Sequence, residues 1–139
     1  MNPTDTIAGI YDAFGKGDIA SILATMSPAI EWEYGPAVPG VPWLTRRTGT
    51  TGVSDFFASL APLDFRRFLV KRIVGDGDLV IGMVDVEIVN SANGLAIVEV
   101  DEVHLWFFDD GGKVVRFRHR CDTLQHWAAH AGRAPSIAA

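Results

Sequence analysis

Apolar positions recur along this chain with two different periods, and the switch between them divides it. The first part is helical in period. Asn2-Pro3 supplies an N-cap and a first-turn proline, after which Ile7, Ile10, Tyr11 and Phe14 fall at i, i+3, i+4 and i+7. Gly15-Lys16-Gly17 ends that helix. Asp18 caps a second one with the stripe Ile19, Ile22, Leu23, Met26, and Ser27-Pro28 stops it. Residues 29–34 alternate Ile30, Trp32, Tyr34 against Glu31 and Glu33, which predicts a strand with an aromatic inner face. Residues 35–51 read as a loop. Its Trp43 predicts a lid or pocket rim, since a loose loop has little use for a large apolar ring. Thr50 or Thr51 then caps a third helix with Val53, Phe56, Phe57 and Leu60 inward, ending at Pro62.

Beyond Pro62 the period becomes two. Residues 65–74, 79–89, 95–108 and 113–121 predict four long antiparallel strands. They are joined by turns at Gly75-Asp78, Asn93-Gly94 and Asp109-Gly112. Asp122 or Thr123 caps a last short helix with Leu124, Trp127 and Ala128 inward. The order predicts an α+β fold, helices on one face of a sheet whose long strands bend and enclose a pocket.

In the last strand Val115, Phe117, His119 and Cys121 share one face, and Arg116, Arg118 and Arg120 the other. A half-buried strand of this kind sets His119 among apolar neighbours. Asp85, Glu87, Glu99 and Asp101 lie on adjacent strands as possible carboxylate partners, and a histidine beside a carboxylate can act as a base near neutral pH. The bland alternative pairs these acids with Arg66, Arg67, Lys71 or Arg72 across the sheet as solvated ion pairs. The strand 95–108 is apolar on both parities after Val100. Either Val103 or His104 therefore faces the pocket, and a bulge is expected to decide which. Trp32, Tyr34, Trp43, Phe56, Met83 and Phe117 are candidates for an aromatic and aliphatic pocket wall. Tyr11 offers a hydroxyl there, and Cys121 a packed thiol. The arginine row reads as the outer sheet face, neutralised by Glu102, or by Glu99 and Asp101, on the next strand.

Composition narrows the picture. With 139 residues the size prior gives a single domain over 1–139, with 131–139 as a frayed tail. A net charge of −5 lacks the electrostatic footprint of a nucleic-acid binder. A single cysteine excludes an internal disulfide and a paired-cysteine metal framework. The spacing of His126 and His130 with Asp122 is a weak metal signature, and no metal or other cofactor is expected. No apolar run approaches a membrane span and the N-terminus has no signal-peptide character, so the cytoplasm is the expected location.

The opening IYDAFGKGDIASILATMSPAIEWEY and the close FDDGGKVVRFRHRCDTLQHWA resemble the nuclear transport factor 2-like superfamily, and within it the SnoaL-like polyketide cyclases. The resemblance covers roughly residues 4–130. It implies a cone-shaped, curved antiparallel sheet with three helices from the N-terminal half packed on its concave face. It also implies a homodimer through the open sheet face. The superfamily holds ketosteroid isomerases, limonene-epoxide hydrolases, polyketide cyclases, scytalone dehydratase and non-catalytic pocket proteins, so fold alone does not give activity.

By this resemblance Tyr34 stands near the ketosteroid isomerase base, Ile10 near that family's oxyanion-hole tyrosine and His104 near its oxyanion-hole aspartate. The first two are replaced, which argues against steroid isomerisation. His119 stands at the water-activating aspartate of the epoxide hydrolases and is the nearest match to the cyclases' acid/base carboxylate. Asp85 and Glu87 match the hydrolases' Arg-x-Asp pair with the arginine missing. The expectation is a cofactor-independent isomerase, cyclase, dehydratase or hydrolase acting on a small apolar or aromatic molecule. His119 would be catalytic, with Asp85, Glu87 or Asp101 as its acid partner. The alternative is a non-catalytic ligand-binding or assembly domain.

Overall fold

The computed structural model describes residues 2–33 and 40–133. Tyr34 lies outside them. Two helices open the chain, α1 (Pro3–Gly15) and α2 (Ile19–Leu23), capped by the Asn2 and Asp18 side chains on the backbone N–H of Asp5 and Ser21. Strand β1 (Met26–Glu33) follows, then a 3₁₀ turn (Pro42–Leu44), the two-residue strand β2 (Arg47–Thr48) and helix α3 (Gly49–Ser59). The long strands are β3 (Leu63–Asp76), β4 (Leu79–Asn90), β5 (Ala96–Phe108) and β6 (Val114–Arg120), and helix α4 (Thr123–Ala131) closes the described chain.

The six strands form one curved open sheet in the order β2-β1-β6-β5-β4-β3. Neighbouring pairs are antiparallel except β1 and β6, which run parallel. That departs from the all-antiparallel expectation. The intervening α3 and four strands, β2–β5, provide the long connection that a parallel pair requires. Strand β1 begins at Met26, three residues before the predicted start. Pro28, which has no N–H for the ladder, sits where the β1–β6 register shifts, between Met26 and Glu31. The expected loop also contributes structure, because Arg47 and Thr48 pair with Trp32 and Glu31.

Inner and outer faces differ sharply along β4. Val80, Val84, Val86 and Ile88 are buried against the helices, whereas Glu87 is exposed and Met83 and Asp85 are half-buried on the other side. The arginine row is outward as expected, but its partners come from β1. Arg116 pairs with Glu31 at 2.8 Å and Arg118 with Glu33 at 3.4 Å. The parallel register Glu31↔Arg116 and Glu33↔Arg118 causes this. Glu99 and Glu102 point the other way. In α4 the buried side chains are His126, Ala128 and Ala129, while Leu124 is exposed and Trp127 packs under the Arg133 guanidinium. The helix is thus turned about its axis relative to the expectation. Its inner face takes a histidine because that ring finds partners on both nitrogens.

Candidate functional site

The core is not filled to its centre. Helices α1 and α3, the Trp43 turn and the inner faces of β1 and β3–β6 surround a hollow of about 90 Å³. Most of its wall is aromatic. Trp32 stacks on Phe117 with centroids 4.0 Å apart, Trp106 lies 4.5 Å from Phe117, and Phe56 lies 5.1 Å from Trp32. Phe14, Phe57, Phe65 and Phe68 continue the wall towards α1 and β3. Polar atoms gather at one end, on His104, Glu102, His119, His126 and the Tyr11 hydroxyl.

Strand geometry creates that polar end. On β5, Ile97 and Glu99 point inward by normal alternation, and so do Glu102, His104, Trp106 and Phe108. The two sets have opposite parity. A β-bulge reconciles them: Val84 pairs with Glu102 and Val86 with Glu99, so Val100 and Asp101 together face the single residue Asp85. Asp101 has φ +61°, unusual for a residue with a side chain and most tolerable for Asp or Asn. On β6 a smaller irregularity beside Phe108 turns Val114 inward in place of the predicted Val115 and leaves Phe117 and His119 facing the hollow.

The polar groups form two connected sets. In the first, the Glu102 carboxylate accepts a short hydrogen bond from His119 Nε2, and its other oxygen lies 3.4 Å from His104 Nε2. His104 Nδ1 meets the Tyr11 hydroxyl at 2.8 Å, and the Trp106 indole donates to that same hydroxyl at 3.2 Å. Gly82, opposite His104 in the ladder, makes room for the phenol. A Cβ there would lie 1.9 Å from the Tyr11 hydroxyl oxygen. In the second set Trp43 Nε1 donates to His126 Nδ1 at 2.8 Å, and His126 Nε2 lies 2.5 Å from Glu99 Oε1. The other Glu99 oxygen accepts the backbone N–H of Asp122 at 3.0 Å. The rings of His104 and His119 are 5.1 Å apart, those of His119 and His126 6.2 Å.

Burial pushes the Glu102 carboxyl up, but the His119 charge and the hydrogen bonds from both imidazoles outweigh it and hold the group well below the ordinary carboxylate range. Burial also pulls the His119 imidazole below its ordinary 6.5, against the attraction of Glu102. Burial raises the Tyr11 phenol strongly despite the Trp106 donor, so the hydroxyl keeps its proton. The site therefore holds an ionised carboxylate and imidazoles whose protons are placed by hydrogen bonds.

Of the residues singled out from the sequence, His119, His104, Tyr11, Trp32, Trp43, Phe56 and Phe117 all line this hollow. Asp85, Glu87 and Asp101 do not. Glu87 is exposed, and Asp85 and Asp101 meet Lys71 on the outer face, because the bulge turns Asp101 out where unbroken alternation from Glu99 would have turned it in. Met83 and Val103 also lie on the outer parity, outside the hollow. Cys121 sits behind the wall beside Glu99 and Glu102. Burial first, then those charges, raise its thiol far out of the reactive range. From the sequence, Glu99 is only one of four possible carboxylate partners of His119, and Glu102, His126 and Trp106 are not placed in the site. The available signal was Glu99-x-x-Glu102 in a strand apolar on both parities, with an aspartate at the step between them.

Two sets of side chains could in principle ligate a cation. Glu99, Glu102, Cys121 and His126 bring ligand atoms within 4.8 Å of one another, as do Glu102, His104 and His119. In both, the imidazole nitrogens nearest the carboxylates already face them. In the first, His126 would also have to give up its short contact with Glu99. His126 and His130 do not converge as a pair, since His130 is exposed.

A curved sheet closed over a pocket by N-terminal helices, with polar residues at one end, defines a protein of the nuclear transport factor 2-like fold. Within it, the SnoaL-like domain profile matches residues 7–117, and the chain belongs to that family. No curated protein matches its sequence. Among solved structures, a nuclear transport factor 2-like protein of Burkholderia thailandensis is 27% identical, with a TM-score of 0.80, covering 93% of this chain and 97% of that one. TerC, co-crystallised with polyporic acid, is 26% identical with a TM-score of 0.78, covering 94% and 99%. IdmH of Streptomyces antibioticus, a candidate polyketide cyclase, is 24% identical with a TM-score of 0.70 over 94% and 99%. Among the described residues no helix is long and apolar enough to cross a membrane.

Proposed function

We propose that this protein binds a compact, largely apolar cyclic molecule in the aromatic hollow and moves a proton on it with His119, without a cofactor. The observation that carries this reading is the His119–Glu102 pair at the polar end of an otherwise aromatic cavity. Donation of Nε2–H to Glu102 leaves the lone pair of His119 on Nδ1, the position of a general base. When that nitrogen takes a proton from carbon or hydroxyl, the imidazolium formed is paired with the carboxylate already beside it. The same proton can then return to another atom of the ligand, which completes an isomerisation, cyclisation or dehydration. Glu102 replaces Asp85, Glu87 and Asp101 as the acid partner. The co-crystal of TerC with polyporic acid supports a cyclic organic ligand.

The test is a panel of cyclic ketones, quinones and hydroxyaromatics screened by thermal shift on wild type, His119→Ala and Glu102→Gln. Hits are then followed by NMR for deuterium uptake from D₂O. The expected hit exchanges at a carbon-bound position in the wild type and not in His119→Ala. Equal exchange in both would remove His119 from the reaction.

A non-catalytic reading has one observation of its own. The hollow, about 90 Å³, is smaller than the roughly 150 Å³ that holds a benzene ring in an engineered protein cavity. Any larger ligand must displace side chains. A binding or assembly role would use the hollow as packed, with Leu69, Val98 and Val100 exposed on the outer sheet face for a second copy of the chain. Binding without exchange by any hit favours this reading.

A further inference from the structure

We infer that Lys71, Asp85 and Asp101, on the outer face of the sheet, are positioning residues that clamp the β5 bulge and so aim Glu99 and Glu102 together at the imidazoles inside. The inference deepens the reading of His119–Glu102 as an acid/base pair, but its test needs neither ligand nor turnover.

The argument begins with alternation. In a regular strand Glu99 and Glu102 point to opposite faces, because their spacing is odd. Only the extra residue at Val100–Asp101 lets both point inward with His104 and Trp106. Such a bulge has two local penalties. One residue must adopt positive φ, which crowds a Cβ against the neighbouring carbonyl, and an N–H is left outside the ladder. Both are met on the outer face. Asp101 takes the left-handed backbone, and its N–H donates to Asp85 Oδ1 at 3.0 Å. Lys71 Nζ lies 3.1 Å from that same Asp85 oxygen and makes a close ion pair with the Asp101 carboxylate.

The lysine is aimed by a second irregularity. Val70 pairs with Val84 and Arg72 with Met83, so Lys71 is itself the extra residue on β3. Bulges in the two strands flanking β4 therefore meet at Asp85. Hydrogen bonding by the Asp101 amide, opposed by desolvation and helped by Lys71, lowers the Asp85 carboxyl. Its side chain is thus an ionised acceptor through the ordinary range of pH.

The experiment compares paired variants of the ligand-free protein by side-chain ¹⁵N NMR of the histidines. Asp85→Asn keeps an oxygen that can accept the amide, and Asp101→Gly keeps a residue at ease with positive φ. Both are expected to retain the wild-type His119 titration midpoint and the wild-type tautomers. Asp85→Ala removes the acceptor, and Asp101→Val resists the left-handed backbone. Both are expected to shift the His119 midpoint by about half a pH unit or more and to mix the tautomers of His126. If Asp85→Ala and Asp101→Val lower Tm yet leave the imidazole signals unchanged, the clamp is merely structural and the inference falls. It falls equally if Asp101→Gly disturbs the signals as much as Asp101→Val. Should Asp101→Val not fold, the Asp85 pair decides alone. A failure here leaves the exchange assay on His119→Ala untouched, and a negative exchange assay leaves these spectra interpretable.

Discussion

Two imidazole–carboxylate pairs share the inner face of this sheet, and the third group attached to each makes them different. His126 Nδ1 accepts from an indole, a group that can only donate, so the remaining ring proton must sit on Nε2 towards Glu99. A second proton on that ring would expel Trp43. The Trp43–His126–Glu99 set therefore ties the loop, α4 and β5 together as a brace. Around Glu102 the last partner is a hydroxyl, which can donate or accept. Protons can be rearranged among His119, Glu102, His104 and Tyr11 without leaving a buried donor facing a donor. The same pair of residue types is fixed in one place and adjustable in the other.

The sharpest way to break the comparison is Glu102→Ala. It leaves two inward imidazole N–H groups without their shared acceptor, at about 1–3 kcal/mol for each buried donor left unpaired. Urea denaturation at pH 7 checks this. The pH dependence has a definite sign. Glu102 is held below its ordinary 4.5, so its stabilisation is complete above that pH and is lost as pH falls towards the depressed folded value. His119 is held below 6.5. Its contribution is complete above 6.5 and declines as pH falls through the window beneath. Wild-type stability should thus fall in both windows on acidification, and His119→Gln should abolish the upper decline. An unchanged pH profile in His119→Gln would contradict the burial argument for that ring.

Trp43→Phe tests the brace. It keeps most of the ring and removes the donor to His126, at about 1–2 kcal/mol for a buried acceptor left unpaired. His126 should then show a mixture of tautomers by ¹⁵N NMR, while the His119 midpoint stays near its wild-type value. A shift at His119 as large as the change at His126 would mean that the two sets are one.

How much of this was legible before the fold is instructive at three residues. Period predicted α1, α3 and the four long strands, because that signal is local, and Asn2 and Asp18 cap as expected while Phe56 and Phe57 face inward. The cap expected of Thr50 or Thr51 does not form: α3 begins at Gly49 behind Thr48, which makes no side-chain cap bond. His119 was legible from alternation in β6. Its partner was not. Strict alternation carried from Glu99 puts Asp101 inside and Glu102 outside, and only the bulge, set by contacts with Asp85 and Lys71 on other strands, reverses this. His126 was missed for a related reason. A histidine on a terminal helix reads as solvent-facing until Trp43, 83 positions earlier in the chain, is seen to reach it.

Gly82→Ala presses on the adjustable set from the strand side. The added methyl collides with the Tyr11 hydroxyl oxygen, so the phenol must withdraw from His104, at roughly 1–3 kcal/mol for overpacking. Thermal denaturation should show the loss. His104 side-chain signals should move while those of His126 do not.

The smallest and most discriminating change is Tyr11→Phe. It leaves the ring and removes one oxygen that joins the Trp106 N–H to His104 Nδ1. The stability loss should be about 1 kcal/mol, the usual net worth of a hydrogen bond with little change of volume. The informative readout is the proton arrangement. Because burial keeps the phenol protonated, its O–H is available to His104 Nδ1, and that arrangement directs the His104 Nε2 proton at Glu102. Without the hydroxyl, His104 can place its proton on either nitrogen, and Glu102 should depend more on His119. In ¹⁵N spectra His104 should become a tautomer mixture, with His126 still wholly Nε2–H under its indole. If His104 keeps one tautomer in Tyr11→Phe, the hydroxyl is a filler and the contrast between the fixed and adjustable pairs loses its physical basis.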